Sequence, residues 1–123
     1  MFFSRFRKKR AIKKYCHLSR HLKKRYGGSE SYTFMQVKKT AEIKKVSNKY
    51  MEYLYALYLD SSEFSNNVSS NKTYDKLRSE IAELYFYGDN DFTFKDILKF
   101  VSPFPWGGGR VDIVRTQSGT FRQ

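Results

Sequence analysis

The sequence has one cysteine, two prolines and one tryptophan in 123 residues. Cys16 alone forms no internal disulfide, so no cross-linked framework supports the fold, and the chain suits a reducing compartment. No apolar run approaches the roughly 20 residues a membrane-spanning helix requires; the longest candidate is Tyr53 to Leu59. A secretory signal places its charge ahead of its apolar stretch. Here the order is reversed, with Met1-Phe2-Phe3-Ser4-Arg5-Phe6 followed at once by Arg7-Lys8-Lys9-Arg10. That acid-free start has some likeness to a mitochondrial presequence, but the same stretch reads well as a structural helix. The expected compartment is the cytoplasm.

Catalytic residue sets are scarce too. The two histidines, His17 and His21, lie in one basic segment. No Ser-His-Asp set, Cys-His set or carboxylate pair stands out, so the expectation is a protein that is not an enzyme and needs no cofactor or metal. His17 and His21 do stand at the i, i+4 spacing that a divalent metal can use. The cations around them would repel a metal, so the pair is read as solvated or phosphate-facing. Cys16 falls on the apolar margin of its helix and is read as a small buried hydrophobe rather than a nucleophile. Asp89, Asp91 and Thr93 begin like a calcium loop, but Phe100 stands where the bidentate glutamate belongs. Gly107-Gly108-Gly109-Arg110 lacks the lysine and hydroxyl of a phosphate loop.

Acids are nearly missing from the first 45 residues: 15 Lys and Arg face only Glu30 and Glu42, a net +13. Residues 46–123 carry 9 Lys and Arg against 10 acids, a net −1, so the chain's +12 comes entirely from its first part. Such asymmetry points to an anionic partner for one face.

Aromatic residues, at 18%, are plentiful enough for one core in a short chain. A first helix is predicted from about Ser4 to Tyr26, stopped by Gly27-Gly28. Its wheel gathers Ala11, Ile12, Tyr15, Leu18, Leu22 and Tyr26 on one side. Lys9, Arg10, Lys13, Lys14, His17, Arg20, His21, Lys24 and Arg25 fall on the other. Lys8 and Lys23 intrude on the apolar side, where long stems can reach past it to water. Thr33 with Gln36 makes a capping box for a second helix reaching about Val46, stapled by Tyr32 and Val37. Ser47 is expected to cap a third helix or a break between the two; that third helix, about Asn48 to Leu59, is apolar nearly all round and therefore central. Its tyrosine hydroxyls must find partners or reach the surface. A polar loop with at most one helical turn near Ser62 to Ser65 leads to a fourth helix, Thr73 to Tyr87, ended by Gly88. A fifth is capped by Thr93 with Asp96 and ends near Val101.

The fold class is thus all-α: a compact bundle of four to five helices over residues 1–101, with an irregular C-terminal arm over 102–123. Phe104 and Trp106 could clasp the bundle, and Arg110 to Arg115 could form a strand.

Three segments carry a resemblance. Arg5-Phe6-Arg7-Lys8-Lys9-Arg10-Ala11-Ile12-Lys13-Lys14-Tyr15, Lys24-Arg25-Tyr26-Gly27 and Tyr32-Thr33-Phe34-Met35-Gln36-Val37-Lys38 resemble small basic bacterial proteins, some carried as mobile integron-type gene cassettes. The resemblance implies a bacterial cytoplasmic helical protein and brings no activity with it.

The leading functional expectation is a non-enzymatic protein that presents the basic face of the first helix to a polyanion, foremost nucleic acid. Lys9, Arg10, Lys13, Lys14, Arg20 and Lys24 would contact phosphates. The alternatives are a module that binds an acidic protein or forms a homo-oligomer through exposed aromatics and the C-terminal arm, and a peripheral membrane protein anchored by Phe2, Phe3 and Phe6.

Overall fold

A computed structural model describes residues 2–102. All regular structure among the described residues is helical: α1 Phe2–His17, α2 Ser19–Tyr26, α3 Phe34–Ile43, α4 Met51–Tyr58, α5 Ser61–Asn67, α6 Tyr74–Tyr85 and α7 Phe94–Val101. The helices form one bundle around a shared core. The proposed clasp of Phe104 and Trp106 and the strand at 110–115 lie outside the described residues.

The caps follow from local chemistry. Thr33 accepts the Gln36 N–H at 3.1 Å, and the Gln36 side chain accepts the Thr33 N–H at 2.9 Å. Thr93 and Asp96 repeat that reciprocal pair at the start of α7. Each pair satisfies two amide donors that a helix start leaves open. At the other end of α3, Lys45 takes a left-handed φ of 56°. The Val46 N–H then reaches the Ala41 carbonyl at 3.2 Å, a Schellman-type closure that stops the helix before Val46. Ser47 does not cap α4. Its hydroxyl accepts the Lys49 N–H at 3.2 Å within the loop, and Tyr50 occupies the cap position.

The long first helix predicted from the sequence is divided at Leu18 into α1 and α2. The Tyr58 side chain, 2% exposed, accounts for the break. Its hydroxyl donates to the Tyr15 carbonyl at 2.5 Å and to the Cys16 carbonyl at 3.2 Å. Those carbonyls would otherwise accept from residues four further on, so a buried hydroxyl takes over the helical ladder at that turn. Tyr26 also departs from the wheel: it is 36% exposed, with the Arg25 guanidinium 5.2 Å from its ring centre. The polar loop after α4 holds a further helix, α5, because Asp60 caps it by accepting the Glu63 N–H at 2.8 Å and Phe64 anchors it in the core.

Helix α4 is central as expected. Tyr53 to Leu59 are all buried, and α4 packs against α1, α3 and α6. Several tyrosine hydroxyls in or at the edge of the core donate to backbone carbonyls elsewhere. Tyr15 donates to Ser47 at 2.6 Å, Tyr74 to Leu59 at 2.7 Å, and Tyr32 to Gly27 at 2.8 Å.

Two polar braces, neither apparent in the sequence, tie the helices together. Arg78 of α6 donates to the Ala56 carbonyl at 2.9 Å and to the Phe92 carbonyl, and its guanidinium lies 3.7 Å over the Phe92 ring. Glu80 forms the second brace, with Tyr53 donating at 2.7 Å, Lys72 at 2.9 Å and Lys8 at 3.3 Å. Lys8 thus crosses to α6 instead of snorkelling to water. Burial raises the Glu80 pKa, but the hydrogen bonds from Lys72, Tyr53 and Lys8 outweigh it and hold the carboxyl below its ordinary 4.5. A carboxyl depressed in the folded state adds stability above its unfolded pKa and loses it as pH falls through the folded one. Replacing Glu80 with Gln should therefore cost about 2 kcal/mol near neutral pH and less in acid. Urea unfolding at about pH 7 and about pH 3 checks this; an equal cost at both would remove the linkage.

Candidate polyanion-binding site

The basic residues of α1 and α2 are held outward because the opposite faces are fixed in the core by Ile12, Tyr15, Cys16, Leu18 and Leu22. Cys16 is fully buried, and burial pushes its thiol up to about 12, so it is a packing residue rather than a thiolate. All six candidate phosphate contacts, Lys9, Arg10, Lys13, Lys14, Arg20 and Lys24, are exposed.

They do not form a single stripe. The α3 end and the loop into α4 lie alongside the first two helices and divide the surface into two grooves. The first, of about 530 Å³, is lined by Arg7, Arg10 and Lys14 on one side and by Lys44, Lys45 and Lys49 on the other, with Tyr15, Tyr50 and the loop backbone at its floor. The second, of about 680 Å³, is lined by His17, Arg20, His21, Lys24 and Arg25, with Ile43 and Lys44 opposite. Lys44 belongs to both grooves, so they join end to end.

Arg10, Lys14, Arg20 and Lys24 are thus brought into the grooves, whereas Lys9 and Lys13 stand on α1 outside both linings. At Lys9, α1 faces α6 closely enough for the Tyr85 hydroxyl to donate to the Lys9 carbonyl at 2.7 Å. The sequence pattern alone does not single out Arg7 or the three loop lysines. A helical wheel treats one helix at a time and carries no information about a neighbouring loop. The adjacent Lys44-Lys45 just past a helix end was the available signal.

No carboxylate lines either groove among the described residues. The ion pairs found among them both converge on Glu80, from Lys8 and Lys72, away from these grooves. The acidic second half therefore neutralises Lys8 but leaves the groove cations facing solvent. The local field registers on His21. Burial first, then Lys44, Arg20 and Lys24, hold its pKa below the ordinary 6.5.

Phe6 is 54% exposed, with the Arg10 guanidinium 5.8 Å from its ring centre. The side chains of Phe2 and Phe3 lie outside the described residues. Among the described residues, no helix is long and apolar enough to cross a membrane, and no group of three or more His, Cys, Asp or Glu is placed to hold a metal ion.

A family profile matches residues 3–121. The chain belongs to DUF6559, a family of unknown function. No curated protein and no solved structure matches it. Membership in DUF6559 covers both the helical bundle and most of the segment beyond it.

Proposed function

We propose that this DUF6559 chain is a non-enzymatic binding protein whose two joined grooves take the phosphate backbone of nucleic acid. The observation that carries the reading is the composition of the grooves: nine Lys and Arg side chains and both histidines, with no carboxylate among the described lining residues. Clustered cations held on a rigid scaffold gain affinity by releasing the counterions condensed on a polyanion. Among the described residues none of them is ion-paired with a carboxylate, and contacts to phosphates need no base-specific geometry. The Glu80 cluster is read as a structural brace. Residence in a bacterial cytoplasm and carriage on integron-type cassettes belong to the same proposal, supported only by the sequence resemblance.

Fluorescence anisotropy of a labelled generic duplex of about 20 base pairs, titrated with protein at low salt, tests the reading. Saturable binding, indifferent to sequence, is expected. No binding at low salt would contradict it.

A further inference from the structure

The two grooves differ in one chemical respect. The first is lined by guanidinium and ammonium groups, whose charge is constant across the neutral range. The second adds two imidazoles, those of His17 and His21, one helical turn apart. We propose that the second groove is a proton-linked phosphate site, in which a phosphodiester group is bound beside His17 with His21 protonated. This rests on the polyanion reading above.

The argument begins with what surrounds the imidazoles. His17 is exposed and His21 half-buried. Arg20, Lys24 and Arg25 from α2 and Lys44 from the end of α3 line the same space. Glu42, on α3 close to Lys44, does not line the groove and acts on Tyr55 instead. On α7, which also packs against α2, Asp96 is engaged in the Thr93 cap. Among the described residues, then, the charges facing His21 are positive, and burial together with those charges makes it resist taking a proton.

A phosphate entering the groove reverses that balance. Its negative charge acts directly on the imidazole it meets, and an imidazolium N–H becomes a donor for a phosphate oxygen. The proton affinity of His21 rises in the complex, so binding takes up a proton, and by linkage acid strengthens binding. The first groove has no such group and supplies an affinity that does not change with pH over the same range.

The test measures affinity for the labelled duplex at about pH 8 and about pH 5.5 at fixed ionic strength. Three proteins are compared: the wild type, His17→Gln/His21→Gln and Arg10→Ala/Lys14→Ala. All the substituted residues are exposed or half-buried, so the fold is retained. Wild-type affinity should rise about tenfold on acidification, as proton linkage requires when the bound phosphate makes one imidazole about ten times the stronger base. The histidine variant should show no rise between the two pH values, whatever its affinity at the higher one. The arginine–lysine variant should bind more weakly at both values yet keep the rise. A pH-independent wild type, or a rise that survives loss of both histidines, overturns the proton link while leaving the binding reading standing. Absence of binding at both pH values overturns both, and that outcome is distinct.

Discussion

Replacing Arg78 with Ala should destabilise the protein by about 3 kcal/mol, which for a domain of this size lowers the midpoint of thermal unfolding by about 10–20 °C. The physical reason is the number of backbone carbonyls that share one guanidinium. Ala56 lies in the last turn of α4, where carbonyls have no helical donor. A positive charge there also favours the helix dipole. The same group satisfies Phe92 just before α7 and covers the Phe92 ring. Burial lowers the Arg78 pKa, yet an arginine remains charged there. Truncation leaves these acceptors without a donor and opens space over an aromatic face. Lysine should recover only a small part of the loss, because its ammonium lacks the planar fork that reaches two carbonyls at once. Urea denaturation of Arg78→Ala and Arg78→Lys measures both costs. A loss below about 1 kcal/mol for the alanine variant would mean water replaces the guanidinium without penalty.

The second large effect concerns binding. The combined variant Arg10→Ala, Lys14→Ala, Lys44→Ala and Lys45→Gly empties the first groove of four of its six cations. Duplex affinity at low salt should fall by at least about 100-fold, and the salt slope should shrink by about 3 to 4. Stability should change little, since all four side chains are exposed. Glycine is chosen at residue 45 because the backbone there has a φ of 56°, where a Cβ is disfavoured. A folded variant that binds as the wild type does would place the interface elsewhere. Lys9→Ala/Lys13→Ala is the control outside the groove linings, and its loss for each charge removed should be much smaller.

The contrast between those two variants marks how far the sequence can be read. Caps were legible because they are local. Thr33 with Gln36 and Thr93 with Asp96 announce themselves within four residues, and the structure forms both boxes. The centrality of α4 was legible because an element that is apolar on every side has only one place to go. The break at Leu18 was not, since its cause is the hydroxyl of Tyr58, three helices further along the chain. Arg78 looks like any exposed helical arginine until α4 and the α7 start are brought to it. At the candidate site, the sequence correctly separated the charged half of the first helix from its buried half. It could not divide that half into Arg10, Lys14, Arg20 and Lys24, which line grooves, and Lys9 and Lys13, which do not. The division depends on where Lys44, Lys45 and Lys49 are held, and that is set by the end of α3.

The break at Leu18 also bears on the site, because α1 lines the first groove while α2 supplies most of the second. A straight helix would carry the same charges on one continuous ridge. Tyr58 holds the chain where the two helices meet, and Lys44 lines both grooves.

The central claim is that the joined grooves bind a phosphate backbone by releasing its counterions. The most direct measurement is the affinity of the wild-type protein for a generic duplex over a series of salt concentrations. With nine Lys and Arg in the linings, contacts to about five to eight phosphates predict a log–log slope of roughly −4 to −7. A slope near zero, or no binding at the lowest salt, would contradict the account.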